Sequence, residues 1–168
     1  VDASGSTAIR DATAADAPAI AAIYNHYIRE TVVTFEEEPV SGAEIARRVE
    51  KVQSASLPWL VAEAGGRVVG YAYAGPWHVR SAYRFSVEIT VYLAADQVGR
   101  GIGSKLYEAL FSRLRARRIH AAIGGIALPN DASVALHEKF GLRKVAHFDE
   151  VGFKFDRWID VGYWQRNL

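Results

Sequence analysis

The chain has 168 residues, room for one domain around a single sizeable core. Half of the residues are apolar, 23% are charged and the formal net charge is +1, so no strong field draws nucleic acid to the surface as a whole. Cysteine is absent, which excludes a disulfide framework, a thiolate zinc site and a cysteine nucleophile, and suits a reducing cytoplasm.

The opening VDASGST carries no charged-then-apolar signal pattern and is expected to be a flexible leader or an expression scar over 1–7. One domain is expected over 8–168, since no repeat or linker divides it. Ala8 to Asp11 suits a short first strand. Ile20, Ile23, Tyr24, Tyr27 and Ile28 then share one helical face. Thr13 or Asp16 can cap that helix, and Pro18 is tolerated in its first turn. A second, polar helix is predicted from about Gly42 to Gln53.

Trp59 to Trp77 reads as a hairpin about Gly65-Gly66, a pair suited to a tight primed turn. In the next strand Phe85, Val87, Ile89 and Val91 alternate with Ser86, Glu88, Thr90 and Tyr92. A glycine stretch, DQVGRGIGSKL, leads into a helix with Ile102, Leu106, Leu110 and Leu114 four apart. Its end carries Arg113, Arg115, Arg117 and Arg118, cations near the negative end of the helix dipole. HAAIGGIAL is a buried-strand candidate. PNDASVALHEKFG is a short helix with Asn130 or Asp131 as cap and Gly141 as stop. Closing strands are predicted at about Arg143 to Phe155 and Arg157 to Gln165. The order β-α-α-β-β-β-α-β-α-β-β is a mixed α/β layer fold, not a regular βαβ repeat. No apolar run approaches the roughly 18 residues that span a bilayer.

The glycine stretch fits neither common nucleotide motif. A Walker A sequence ends Gly-Lys-Ser/Thr, whereas Gly103 precedes Ser104-Lys105, and the spacing here is G-x-G-x-G, not G-x-G-x-x-G. The physical logic of such loops still holds. A strand runs into a glycine turn that opens a helix, and the free N–H groups there favour a phosphate. A plain tight turn without a ligand is the competing reading. Glu88, mid-strand between apolar neighbours, is either a carboxylate on a solvent-facing strand or a buried general base. The five histidines show no H-x-H or H-E-x-x-H spacing, so no catalytic metal is expected. No G-x-S-x-G elbow supports an acyl-serine route.

Taken together, the glycine turn, Glu88 and the Asn130 helix resemble the GNAT superfamily of N-acetyltransferases. The superfamily hallmark, Arg/Gln-x-x-Gly-x-Gly/Ala, reads here Val98-Gly99-Arg100-Gly101-Ile102-Gly103, with Val98 in place of the usual Arg or Gln. VVTFEEEP, HVRSAYRFSVEITVYL, ALPNDASVALHEKFG and DRWIDVGYWQRNL are similar to phosphinothricin N-acetyltransferases and to relatives that acetylate methionine sulfoximine and methionine sulfone. The resemblance runs from about Ile9 to the C-terminus. It implies a mostly antiparallel central sheet flanked by helices, acetyl-CoA as donor, a small amino-acid-like amine as acceptor, and a homodimer.

It further implies direct transfer in a ternary complex, with Glu88 as base and His137 as a proton-handling group. Thr90, Val91 and Tyr92 are then the strand that pairs with the pantetheine arm, Val98 through Gly103 with Ser104 the pyrophosphate cradle, and Asn130 an amide contact to the arm. For the acceptor, Arg80 offers a bidentate fork to a carboxylate or phosphinate. Trp77 and Tyr83 supply walls with polar tips, and Phe35 closes the other side. Surface packing is the competing reading for each of these four. The subgroup often has a basic residue where His78 stands. Two other functions remain open at this stage: acetylation of a polyamine, aminoglycoside or protein N-terminus, or a non-enzymatic acyl-CoA-binding module.

Overall fold

The structure, a computed structural model, describes residues 6–168, so most of the expected leader lies outside the described residues. Seven strands and four helices follow in the predicted chain order: β1 (Ala8–Asp11), α1 (Ala17–Glu30), α2 (Gly42–Ser54), β2 (Trp59–Ala64), β3 (Arg67–Pro76), β4 (Ser86–Leu93), α3 (Ile102–Ala116), β5 (Ala121–Ala127), α4 (Asp131–Lys139), β6 (Arg143–Lys154) and β7 (Arg157–Asn167). Three single 3-10 turns, at 14–16, 81–83 and 95–97, are additions to the predicted set. Element ends differ from the sequence expectation by a few residues at most, as fraying ends do.

The strands form one sheet in the order β1-β2-β3-β4-β5-β7-β6. Every neighbouring pair is antiparallel except β4 and β5. The β2–β3 turn is the glycine pair, both residues at positive φ. Helices cover both faces. Tyr24 and Tyr27 of α1 pack on Tyr92 of β4, with ring centroids 5.3 and 5.0 Å apart. On the opposite face, α3 lies over β3, where Gly70 leaves room for Leu93 and Leu106.

The fourfold leucine spacing of α3 is its buried stripe: Leu106, Leu110 and Leu114 are wholly inaccessible and Ile102 nearly so. Tyr107 and Phe111 widen that stripe. The polar α2 buries Ile45, Val49 and Val52 and is capped by Ser41, whose Oγ accepts from Glu44 N at 3.0 Å. Asp16 precedes α1 but its carboxylate accepts from the two terminal guanidinium nitrogens of Arg10, at 2.8 Å each, and from Thr13 N. No helix is long and apolar enough to cross a membrane.

Candidate active site

The parallel pairing of β4 and β5 lasts only three residue pairs, ending at Glu88↔Ile123. Beyond it β4 stays paired with β3 as far as Leu93, while β5 runs on beside β7 to Ala127. The two strands therefore part, and one edge of β4 from Ile89 onward has no strand beside it. A cavity of about 230 Å³ fills the fork, walled by Glu88 through Tyr92, Gly125 through Ala127, Tyr107, Asn130 and His137. An edge with unpaired peptide groups inside a cleft suits an extended amide-bearing ligand.

Glu88 sits at the crotch of this fork, half-buried. Burial raises its pKa above the ordinary 4.5, and the nearby His78 opposes that shift. It also borders a second cavity, of about 260 Å³, with Val33, Phe35, Gly125, Val151, Val161 and Tyr163. The carboxylate thus borders two adjoining spaces, which share Val33, Phe35, Gly125 and Ala127 as walls. Gly125 makes this possible. A Cβ there would lie 3.0 Å from the Tyr163 ring and 3.6 Å from Glu88 Oε1.

His137 lies across the sheet from Glu88. A Cβ on Gly124, the next β5 residue, would meet its Nε2 at 2.4 Å. Successive strand residues face opposite ways, so the two side chains meet only through the fork. His137 is nearly inaccessible. Its Nδ1 lies 2.7 Å from the Ser133 carbonyl and its Nε2 3.0 Å from the Tyr107 hydroxyl. A carbonyl only accepts, so Nδ1 carries the proton and Nε2 accepts from Tyr107. The imidazole is neutral in this arrangement, and burial lowers its pKa below the ordinary 6.5.

The glycine turn leaves the far end of β4. Gly99 and Gly101 have φ of +80° and +78°, a region where a side chain is strained. Gly101 precedes α3, and the first bond of that helix runs from Lys105 N to Gly101 O at 3.2 Å. The N–H groups of Ile102, Gly103 and Ser104 thus head the helix without intrahelical acceptors. Val98 and Arg100 are exposed. Lys139, from α4, donates to Ser104 Oγ at 2.9 Å and places a cation beside the turn. Asn130 caps α4, its Oδ1 accepting from Ser133 N at 3.1 Å, which leaves its Nδ2 to the cleft it lines.

Residues 9–162 match the acetyltransferase (GNAT) domain family. The chain belongs to the GNAT acetyltransferases. It is 44% identical over 160 residues to the phosphinothricin N-acetyltransferase of Streptomyces viridochromogenes, an alignment covering 95% of this chain and 87% of the relative. To the L-methionine sulfoximine/L-methionine sulfone acetyltransferase of Pseudomonas aeruginosa it is 39% identical, covering 97% and 95%. The crystal structure of a phosphinothricin acetyltransferase from Sinorhizobium meliloti, in complex with acetyl-CoA, superposes with a TM-score of 0.94 at 38% identity, covering 96% of this chain and 88% of that one.

The acceptor residues expected of this GNAT acetyltransferase are not all brought together. Phe35 reaches both cavities at Glu88. Trp77 packs edge-on against Tyr163 at 5.7 Å, His78 against Trp77 at 4.7 Å and Tyr83 against His78 at 5.0 Å, a file leading away from the second cavity. Arg80 is exposed and borders a different cavity, of about 610 Å³, with Arg84 and Arg117 at the other end of β4. Sequence reading missed Tyr107, Lys139, Thr34 and Tyr163. Tyr107 carried a signal, one residue beyond the Leu106 stripe and on the same helix face; the other three are gathered only by the fold. Among the described residues, the cluster able to share an ion is His147, Asp149 and the half-buried Asp160, on β6–β7 and outside the fork, with Lys144 Nζ 2.8 Å from His147 Nδ1.

Proposed function

We propose that this acetyltransferase moves the acetyl group of acetyl-CoA to the amino group of a small amino-acid-like acceptor of the phosphinothricin, methionine sulfoximine or methionine sulfone type. The observation that carries the reading is the position of Glu88, where a cleft with a free strand edge adjoins a pocket closed by Val151, Val161 and Tyr163, with Phe35 in the wall of both. The fork suits the pantetheine arm along Thr90, Val91 and Tyr92, with Asn130 Nδ2 as a side-chain donor. The turn from Val98 to Ser104 suits the pyrophosphate through its N–H groups, and so tolerates Val98.

Acetyl-CoA supplies the acetyl group as a thioester. An α-amino group is mostly protonated at neutral pH, so a base is needed to free its lone pair. Glu88, its basicity raised by burial, takes that proton directly or through water. The acceptor nitrogen bonds the acetyl carbon and gives up a second proton as the carbon–sulfur bond breaks, and the departing thiolate takes one proton. The Tyr107–His137 pair, on the opposite side of the fork, handles that proton. Phe35, Trp77 and Tyr83 shape the acceptor side, and Arg80 is its outlying anion contact.

The working form is a homodimer in the cytoplasm, and the physiological role is detoxification. Phe148, Phe153, Phe155 and Trp158 are each more than half exposed on β6–β7, an aromatic face suited to a second copy. Steady-state acetylation of phosphinothricin, methionine sulfoximine and methionine sulfone tests the reading. Turnover of at least one is expected; turnover of none, with transfer to a polyamine or peptide instead, overturns the acceptor class.

A further inference from the structure

Lys154 is the last residue of β6, and 2% of it is exposed. Its Nζ donates to a neutral group, the carbonyl of Thr34, at 2.8 Å across 120 residues of chain. The Phe155 ring lies 5.1 Å from the ammonium. Burial lowers the lysine pKa, partly opposed by Glu37. A buried cation held by one carbonyl is costly, and a hydrocarbon of similar volume would fill the space at less cost. What a hydrocarbon cannot do is hold the Thr34 peptide in place.

That peptide belongs to the irregular segment 31–41, whose Val33, Thr34 and Phe35 wall the cleft beside Glu88. From the N-terminal half the segment is tied by Tyr24, whose hydroxyl is 2.8 Å from Thr34 Oγ1, and by Arg48, which binds both oxygens of Glu36 at 2.9 and 2.7 Å. From the C-terminal half it is tied by Lys154 and by a contact two residues earlier. A Cβ on Gly152 would fall 2.3 to 2.9 Å from three atoms of the Phe35 ring, so the ring rests on bare backbone. Gly152 follows an irregularity in the β6–β7 pairing, between Phe148 and Gly152, which bends β6 where it meets the ring.

We propose that Lys154 and Gly152 form a clamp that sets the Thr34–Phe35 wall, making Lys154 a positioning residue for acceptor recognition. This rests on the assignment of the Phe35 pocket to the acceptor. The 33–35 wall borders the mouth of the fork as well as the second cavity, but the contacts of Lys154 and Gly152 lie away from the glycine turn and α4, which hold the far end of the donor. The clamp also gives the hairpin that carries the exposed aromatic face a mechanical connection to the acceptor pocket.

The test compares the intact enzyme with Lys154→Met and Gly152→Ala, each carrying 4-fluorophenylalanine at position 35. Both variants are expected to shift the fluorine resonance and to raise the acceptor KM about tenfold or more, the scale of an ångström-level misplacement. Acetyl-CoA affinity by calorimetry stays within about twofold. Gly152→Ala keeps the lysine, so it decides the matter if Lys154→Met fails to fold. An unmoved resonance in a folded variant, or equal loss for acceptor and acetyl-CoA, overturns the clamp. Fluorine shifts in an enzyme that acetylates none of the three acceptors leave the clamp standing and sink the acceptor assignment instead.

Discussion

The two sides of Glu88 are built in different ways. On the side toward α3 and α4, apart from the 33–35 segment, the walls come from one continuous stretch, β4 through the glycine turn and α3 to β5 and His137 on α4. On the other side, Val33 and Phe35 meet Val151, Val161 and Tyr163 from the far end of the chain. A donor that is always the same suits a cradle of backbone groups in a fixed local order. An acceptor that differs between relatives suits a pocket whose walls come from separate segments, each able to change alone. Glu88 borders both sides, and the proposed chemistry joins them there.

The sharpest way to break this division is at the shared carboxylate. Glu88→Gln is expected to cut kcat by about 10² or more while both substrates still bind. The base works deprotonated, and its pKa lies above the ordinary 4.5, so kcat/KM falls as pH drops through a value above 4.5. The Gln variant should lose the acid limb altogether, as read from pH profiles of kcat/KM. A limb that persists unchanged assigns the base elsewhere.

The next effect should fall on one side only. Gly101→Val places a β-branched residue at φ +78°, where it is strained, and reshapes the turn. The expected result is an acetyl-CoA KM raised about tenfold or more with an unchanged acceptor KM, because the cradle uses N–H groups in that one backbone shape. Losses of equal size for both substrates would dissolve the distinction between the two sides.

Legibility in the sequence follows the same division. The leucine stripe of α3, the glycine pair of the β2–β3 turn and the Asn130 cap depend on neighbours in the chain, so periodicity and turn chemistry revealed them. The glycine turn was visible as a helix-opening turn of positive-φ glycines, although neither common nucleotide motif matched it. Glu88 could be named but not placed, because alternation in a strand does not say where two parallel strands part. Lys154 and Gly152 read as an ordinary strand, since their partners Thr34 and Phe35 lie more than a hundred residues away. Arg80 was grouped with Trp77 and Tyr83 on the family resemblance, and in the fold it borders another cavity.

Tyr107→Phe sharpens the picture on the cofactor side. It removes the donor to His137 Nε2 without changing the buried ring. One hydrogen bond is worth about 1 kcal/mol, so kcat should fall roughly fivefold, with both KM values nearly constant. A drop as large as that of Glu88→Gln would make the Tyr107 hydroxyl a principal proton donor; no change would leave the pair a packing device.

Arg80 should give the smallest effect, and it probes the edge of the acceptor side. Its guanidinium is exposed and lines the cavity at the far end of β4, so any pull on an acceptor carboxylate acts through water. Screened charges of this kind contribute little. Arg80→Gln is therefore expected to raise the acceptor KM less than about threefold, and the change should shrink further in high salt. Phe35→Ala, which removes a wall of the Glu88 pocket itself, should exceed it. If the order is reversed, the 77–83 loop carries the acceptor's anionic group, and the file from Tyr163 through Trp77 and His78 to Tyr83 is the floor of a longer site.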